Sequence, residues 1–292
     1  MSDLQVRRLP FTFDDVDFHW NPSNKAVSVF VNAISFWVIG LEKYFVRTMR
    51  EAEGRITDAD VLEEAQLFRQ QEAVHAATHR RHVNALIDQH PGLQAVLDDI
   101  VARYDTLFEA RPLEYHLAYA AGLEGTFTPT FKMIMDHRHT LLADGDARVA
   151  SLTLWHFCEE VEHRSSAVIV YDHVVGDAGY KIRSFPSVVR HLDGCMEALQ
   201  RGFQAAVPGE AGAAHYGNRF QRLVGRGPAN PLADVPATAL VTALVRSLRS
   251  LTSAYDHQAQ PLPAYAEEWF ARFDAGEDMT EVFGVPHGRL AS

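Results

Sequence analysis

Four carboxylates and three imidazoles in this sequence have the types and spacing to do metal chemistry. Glu72 and His75 stand in QEAVH, and His156, Glu160 and His163 stand in WHFCEEVEH. At 100° per residue, positions i and i+3 lie 60° apart, so each Glu-x-x-His pair can face one point. His156 lies one turn before Glu160 and about 20° in azimuth from His163, so the three line one stripe. Glu42 falls in the apolar run FWVIGLEKYFV and Glu124 in AAGLEGTFT. Burying such acids with no counter-charge is costly. A bundle that turns Glu, Glu-x-x-His, Glu and Glu-x-x-His inward builds a dinuclear metal site. Carboxylates then bridge and offset two cations while imidazoles take terminal positions, and mixed O/N donors suit iron, or else manganese. The alternative is a coincidence of solvated charges. One Glu-x-x-His arises easily in a chain with 15 histidines; two on separate helices, each preceded by a helix with an acid in apolar surroundings, do not.

The elements that must position these groups read as helices. Apolar residues recur at 3–4 spacing, and Val, Ile and Thr never alternate with polar residues long enough for a sheet. An irregular arm is expected over 1–21, then long helices over 24–53, 58–89, 112–142, 146–175 and 180–206, with a shorter one over 93–109. Thr57 with Asp60 resembles a cap opening the second of these. Pro112 suits the first turn of the helix carrying Glu124. Residues 208–234 form a Gly/Pro-rich loop, followed by helices at 235–256 and 264–274. Four ligand-bearing helices of roughly 30 residues are each about 45 Å long, and matched lengths suggest a bundle. The expected fold is all-α: residues 1–207 form the metal bundle with its arm, and 208–292 pack on it within a single domain.

Composition narrows the function. The 292 residues are 47% hydrophobic with a formal charge of −11. That is the composition of a globular protein, and the acidic balance argues against nucleic acid. No basic cluster marks an anionic membrane as target. Cys158 and Cys195 exclude a disulfide framework and suggest a reducing, cytoplasmic setting. The uncharged stretch from Ala26 to Leu41 is 16 residues with Ser28, Asn32 and Ser35, which fits a buried helix better than a membrane span. Arg7 and Arg8 are followed by no apolar run, so the start is not read as a signal.

The order Glu, Glu-x-x-His, Glu, Glu-x-x-His resembles the ferritin-like di-iron carboxylate superfamily. The fragments QEAVHAATHRRH and WHFCEEVEHRSSAVIVYD, with RRLPF near the start, are similar to the predicted metal-dependent hydrolase family over most of 5–205. His-x-x-x-Glu-x-x-His is similar to the p-aminobenzoate N-oxygenase type of di-iron enzyme, which uses a third histidine. This resemblance implies Glu42, Glu72, His75, Glu124, His156, Glu160 and His163 as ligands of two Fe ions; His156 alternatively only hydrogen-bonds Glu160.

Neighbouring residues leave choices open. His79, one turn after His75, is an outer donor or a polar residue near the wet face. Glu159 and Glu162 suit solvent or outer salt bridges rather than ligation. Thr128 follows Glu124 by one turn, where hydroxylating di-iron enzymes often carry Thr, but Pro129 beside it equally suggests a backbone role. Tyr44 and Tyr171 read as core aromatics, and Cys158 as a small core residue pointing away from the metals.

The leading functional expectation is an O2-dependent oxygenase or oxidase that hydroxylates or N-oxygenates a small organic, aromatic or lipid-like substrate. Its electrons must come from a separate donor, since no flavin or ferredoxin segment is seen. Dinuclear hydrolysis is the alternative, although the chain lacks the sheet and Asp/His loop clusters usual there. Ferritin-like storage fits a chain of this length poorly. A homodimer is compatible with the helical pattern, and nothing suggests an integral membrane protein.

Overall fold

The computed structural model describes Ser2 and residues 4–210, 230–252 and 255–287. Among them the architecture is all-α. The helices are α1 (Lys25–Glu53), α2 (Ala59–Gln89), α3 (Leu93–Ala110), α4 (Leu113–Asp136), the single turn α5 (Arg138–Leu141), α6 (Ala147–Glu162), α7 (Ser166–Val174), α8 (Ala178–Ala206), α9 (Ala237–Ser250) and α10 (Ala264–Asp274). α1 packs on α2, α3, α4 and α8, while α4 also meets α6, α7, α8 and α9. One contiguous core runs from Leu9 to Met279. Most of the expected 208–234 loop lies outside the described residues.

Capping fixes where the helices begin. Asn24 accepts the Val27 amide at 3.1 Å, opening α1. Asp58, rather than the expected Thr57, caps α2, accepting from the amides of Asp60 and Val61 at 2.9 and 3.1 Å. Carboxylate and hydroxyl compete for the orphan amides of the first turn; here the hydroxyl of Thr57 lies against His173 instead. Pro112 sits just outside the first turn of α4, and Leu113 begins the helix.

Three expected helices are shorter or broken. The span 112–142 is interrupted at His137, whose amide turns back to Met133 and Ile134. The span 146–175 is broken at His163-Arg164-Ser165. There the Arg164 guanidinium competes for helix carbonyls, donating to Val161 O, and also to His257 O at 3.0 Å and Gln260 O at 2.6 Å. The last expected helix but one, 235–256, spans only 237–250, since Pro236 ends one side and the chain turns at Leu251.

The arm is irregular, as its prolines suggest, yet it is firmly packed. From Arg7 to Phe13 buried and exposed positions alternate, Arg7, Leu9, Phe11 and Phe13 inward against Arg8, Pro10 and Thr12 outward. That is the period of an extended chain. Without strand partners, its carbonyls are bonded by helix side chains: Asn32 Nδ2 donates to Phe18 O at 2.8 Å, and Arg148 to Asp14 O. α1 is long and apolar enough to cross a membrane by length and composition alone, but 78% of its most apolar window is buried against the other helices.

Candidate metal centre

α1, α2, α4 and α6 each deliver acids or histidines to one buried point. Among the described residues, two groups of potential ligand atoms each fall within 4.8 Å of one another: Glu42, His75, His156 and Glu160 form one, and Glu72, Glu124, Glu160 and His163 the other. Glu160 belongs to both. All seven residues singled out in the sequence are therefore brought together, and none is more than 4% exposed.

The contacts show how the donors face. His156 Nε2 lies 3.1 Å from Glu42 Oε1 and 2.9 Å from Glu160 Oε1. His163 Nε2 lies 3.4 Å from Glu124 and 3.5 Å from Glu160. His75 Nδ1 stands 3.7 Å from Glu160 and 3.9 Å from Glu72. Seven buried atoms here make no hydrogen bond: Glu42 Oε2, both oxygens of Glu72, His75 Nδ1, Glu124 Oε2, Glu160 Oε2 and His163 Nε2. Buried polar atoms are nearly always satisfied, and here the orphans converge where a cation would sit. Four carboxylates and three neutral imidazoles also sum to −4, which two divalent ions offset. The residues fit a metal pair.

In the metal-free protein these groups share protons. Burial pushes Glu42 up to about 7 and Glu124 up to about 8, and burial with repulsion from Glu160 raises Glu72 well above the usual carboxylate range. Burial also opposes ionisation of Glu160, but His163 and His156 outweigh it and hold that carboxyl well below its ordinary value. Burial disfavours a charged His156, yet Glu160 and Glu42 raise it to about 10. The cluster is thus built round one firm anion, Glu160, between two imidazoliums.

The outward nitrogens of the three histidines are fixed too. Glu159 accepts from His75 Nε2 at 2.7 Å, Gln71 Oε1 lies 3.1 Å from His163 Nδ1, and His79 Nε2 lies 2.9 Å from His156 Nδ1. Such outer partners set which ring nitrogen faces the metal. His79 is buried, so its wet-face alternative falls; its other nitrogen meets Ser35 Oγ at 3.0 Å, which also meets His82 at 3.1 Å. Glu159 is buried rather than solvated, and it pairs with Arg7 at 3.2 Å. Arg7 also grips Glu162 at 2.8 Å, and Glu162 accepts from Gln71 at 2.8 Å. Arg7, Gln71, Ser35 and His82 were not legible as site residues. The two-residue alternation of the arm was the one signal that turned Arg7 inward.

Beside the cluster lies a cavity of about 460 Å³, lined by Glu42, Glu72, Glu124, His156 and Glu160 and otherwise mostly by aliphatic and aromatic side chains of α1, α4, α8 and α9. Among the described residues its wall has no Lys or Arg. Phe127 and Phe131 line it, but Thr128 does not; Thr126 and Thr130 do. Thr128 Oγ1 is buried without a hydrogen-bond partner. Tyr44 bonds His116 and Tyr171 bonds Asp177 O, so neither meets the ligands. Cys158 is buried beside Met135, as expected of a core residue.

Fold and site together define an all-helical bundle with buried carboxylate and imidazole groups that could hold metal. The family model for predicted metal-dependent hydrolases matches residues 5–207, and the chain belongs to that family. No curated protein and no solved structure compared with it matches.

Proposed function

We propose that the chain would hold two metal ions, with iron the first choice of metal and manganese the second, and that Glu160 would serve both. Glu42, His75 and His156 serve one ion, and Glu72, Glu124 and His163 the other. The observation that carries this is the sharing of Glu160 by two donor groups whose unsatisfied atoms face each other. The ferritin-like order of ligands supports the assignment.

The chemistry that fits best is oxidation of a small apolar substrate. An iron pair would supply reduction of O2 with electrons from an external donor; hydroxylation or N-oxygenation is the outcome in keeping with the carboxylate-rich donors. The chain's own part is threefold. Glu159, Gln71 and His79 orient the imidazoles. Apolar walls exclude water, which strengthens every charge interaction inside. The cavity aligns an uncharged molecule against Glu42, Glu124 and His156.

Hydrolysis is the second reading, favoured by the family's description. A metal pair can activate water and clamp an ester or phosphate, but the absence of Lys and Arg among the described wall residues favours an apolar ester over a phosphate. Anaerobic loading with Fe(II), followed by air, separates the two. Two ions per chain and a transient visible absorption are expected. Two ions, no response to O2 and turnover of model esters by the Mn(II) or Zn(II) protein would transfer the case to hydrolysis. No tight metal would end both. The buried free thiols of Cys158 and Cys195 support a reducing, cytoplasmic setting.

A further inference from the structure

Among the described residues the exposed large aliphatic side chains are Ile182 (55%), Val241 (59%), Val245 (48%) and Leu248 (57%). Three lie on α9 at i, i+4 and i+7, a stripe along one helical face. The same helix turns Leu240, Leu244 and Ser247 to the cavity. α9 is therefore apolar on two faces, one closing the cavity and the other turned to solvent. Ile182 stands three residues before Phe185, which lines the same cavity from α8.

The charges that α9 itself presents are of one sign, while on the neighbouring α4 Lys132 is paired with Asp136 at 2.6 Å in a groove shared with Arg246. α9 carries exposed Arg246 and Arg249 and no acid. The stretch of α8 before Asp193 carries Lys181, Arg183 and Arg190 and no acid. Arg183 pairs with Asp177 of the preceding turn at 3.4 Å, but both are largely exposed, and such pairs neutralise little. The described residues of 178–252 hold six Lys/Arg against four Asp/Glu, a formal +2 within a chain of −11. No contiguous basic run exists, so the sequence read in order shows no membrane-seeking cluster. The segregation emerges once α8 and α9 line one cavity.

The geometry points to this face as a docking surface for an anionic lipid bilayer. Val241, Val245 and Leu248 enter the boundary between headgroups and acyl chains, and the arginines meet the phosphates. A second copy of the chain is the weaker occupant, since a two-fold pairing would set Arg246 and Arg249 near their own copies. Docked in this way, the cavity could take an apolar substrate directly from the bilayer; that consequence rests on the apolar-substrate reading above, whereas the docking does not.

Co-sedimentation of the full chain with vesicles tests it, using phosphatidylcholine alone against phosphatidylcholine with phosphatidylglycerol. At low salt the anionic vesicles should retain at least about tenfold more protein, and salt should weaken the binding. The double variant Val245→Asp with Leu248→Asp should lose binding while keeping its circular dichroism, melting temperature and metal content. A second variant, Arg246→Gln with Arg249→Gln, should lose the preference for anionic vesicles and retain its fold. Equal binding to both vesicles, binding to neither, or binding unchanged in the Asp variant overturns the proposal. So does a wild-type dimer that the Asp variant converts to monomer, because the face would then be covered by a second copy. None of these outcomes depends on the metal, so failure of the docking and failure of the metal reading are distinguishable.

Discussion

Glu160 and Arg7 stand at opposite ends of one chain of contacts. Glu160 meets both donor groups, so Glu160→Ala should reduce bound metal from the proposed two ions per chain to less than one. Glu42→Ala removes a donor from one group only and should leave about one ion; plasma emission spectrometry of dialysed protein distinguishes the two outcomes. Arg7 touches no donor atom. It holds Glu159 against His75, and through Glu162 and Gln71 it also braces His163. Phe270 and Phe273 of α10 pack over its guanidinium at 4.4 and 5.6 Å. Arg7→Met should therefore weaken both metal positions by about 10–100-fold, the usual effect of losing an outer partner. Loss of one member of a buried pair should also cost ~3–5 kcal/mol of stability. Competition with a coloured chelator measures the first, and urea unfolding the second. An unchanged metal affinity in a folded Arg7→Met protein would remove Arg7 from the site. The seven clustered residues could be read in the sequence because helical spacing projects i, i+3 and i+4 onto one face. Arg7 could not, because its partners lie about 150 residues away and no local period links an extended arm to a helix.

Helix existence was legible in the apolar spacing, and so was the presence on each of α1, α2, α4 and α6 of a group that reaches the cluster. Breaks were not. The end of α6 at Glu162 depends on Arg164 being drawn toward His257 and Gln260, contacts of long range that leave no periodic trace. The break places His163 at the helix terminus, where its ring is fixed by Gln71 rather than by a following turn. The approach of α1 to α3 depends likewise on a single position. A Cβ added to Gly40 would meet Tyr104 Cδ2 at 2.9 Å, Ile100 Cγ2 at 3.0 Å and the Ile100 carbonyl at 3.3 Å. In an isolated helix Gly→Ala stabilises by ~1 kcal/mol. Overpacking costs typically ~1–3 kcal/mol, and the carbonyl cannot rotate away as a side chain can. Gly40→Ala should therefore destabilise the protein by ~1 kcal/mol net, as read by urea unfolding. A stabilised variant would mean that the two helices separate easily, and the wall carrying Glu42 with them.

At the scale of the whole molecule, the buried acids couple stability to pH in a way that metal should reverse. Glu42 is raised to about 7, Glu124 to about 8 and Glu159 to about 7, each chiefly by burial. His156 is raised to about 10, its carboxylate partners overcoming burial. All four bind protons more tightly folded than unfolded, where acids titrate near 4.5 and histidines near 6.5. Their contribution is complete below the unfolded values and is lost as pH rises through the folded ones. His82 runs the other way. Burial lowers it to about 3, so its neutral form stabilises the fold above pH 6.5, and that contribution is lost progressively as the pH falls from there. His75 and His79, also lowered chiefly by burial, share its sign. Below pH 6.5 the two sets oppose each other; above it the acids and His156 act without opposition. With a chelator present, the melting temperature should therefore fall steeply from about pH 6.5 to 9. Bound metal takes the place of those protons, since ligation requires ionised carboxylates and neutral imidazoles. The metal-loaded protein should hold its melting temperature across the same interval, and loading at pH 7 should release on the order of two or more protons per chain. Calorimetric titration in two buffers of different ionisation enthalpy counts them. Zero release, with parallel pH profiles for the two forms, would place the bound ions away from the buried acids altogether.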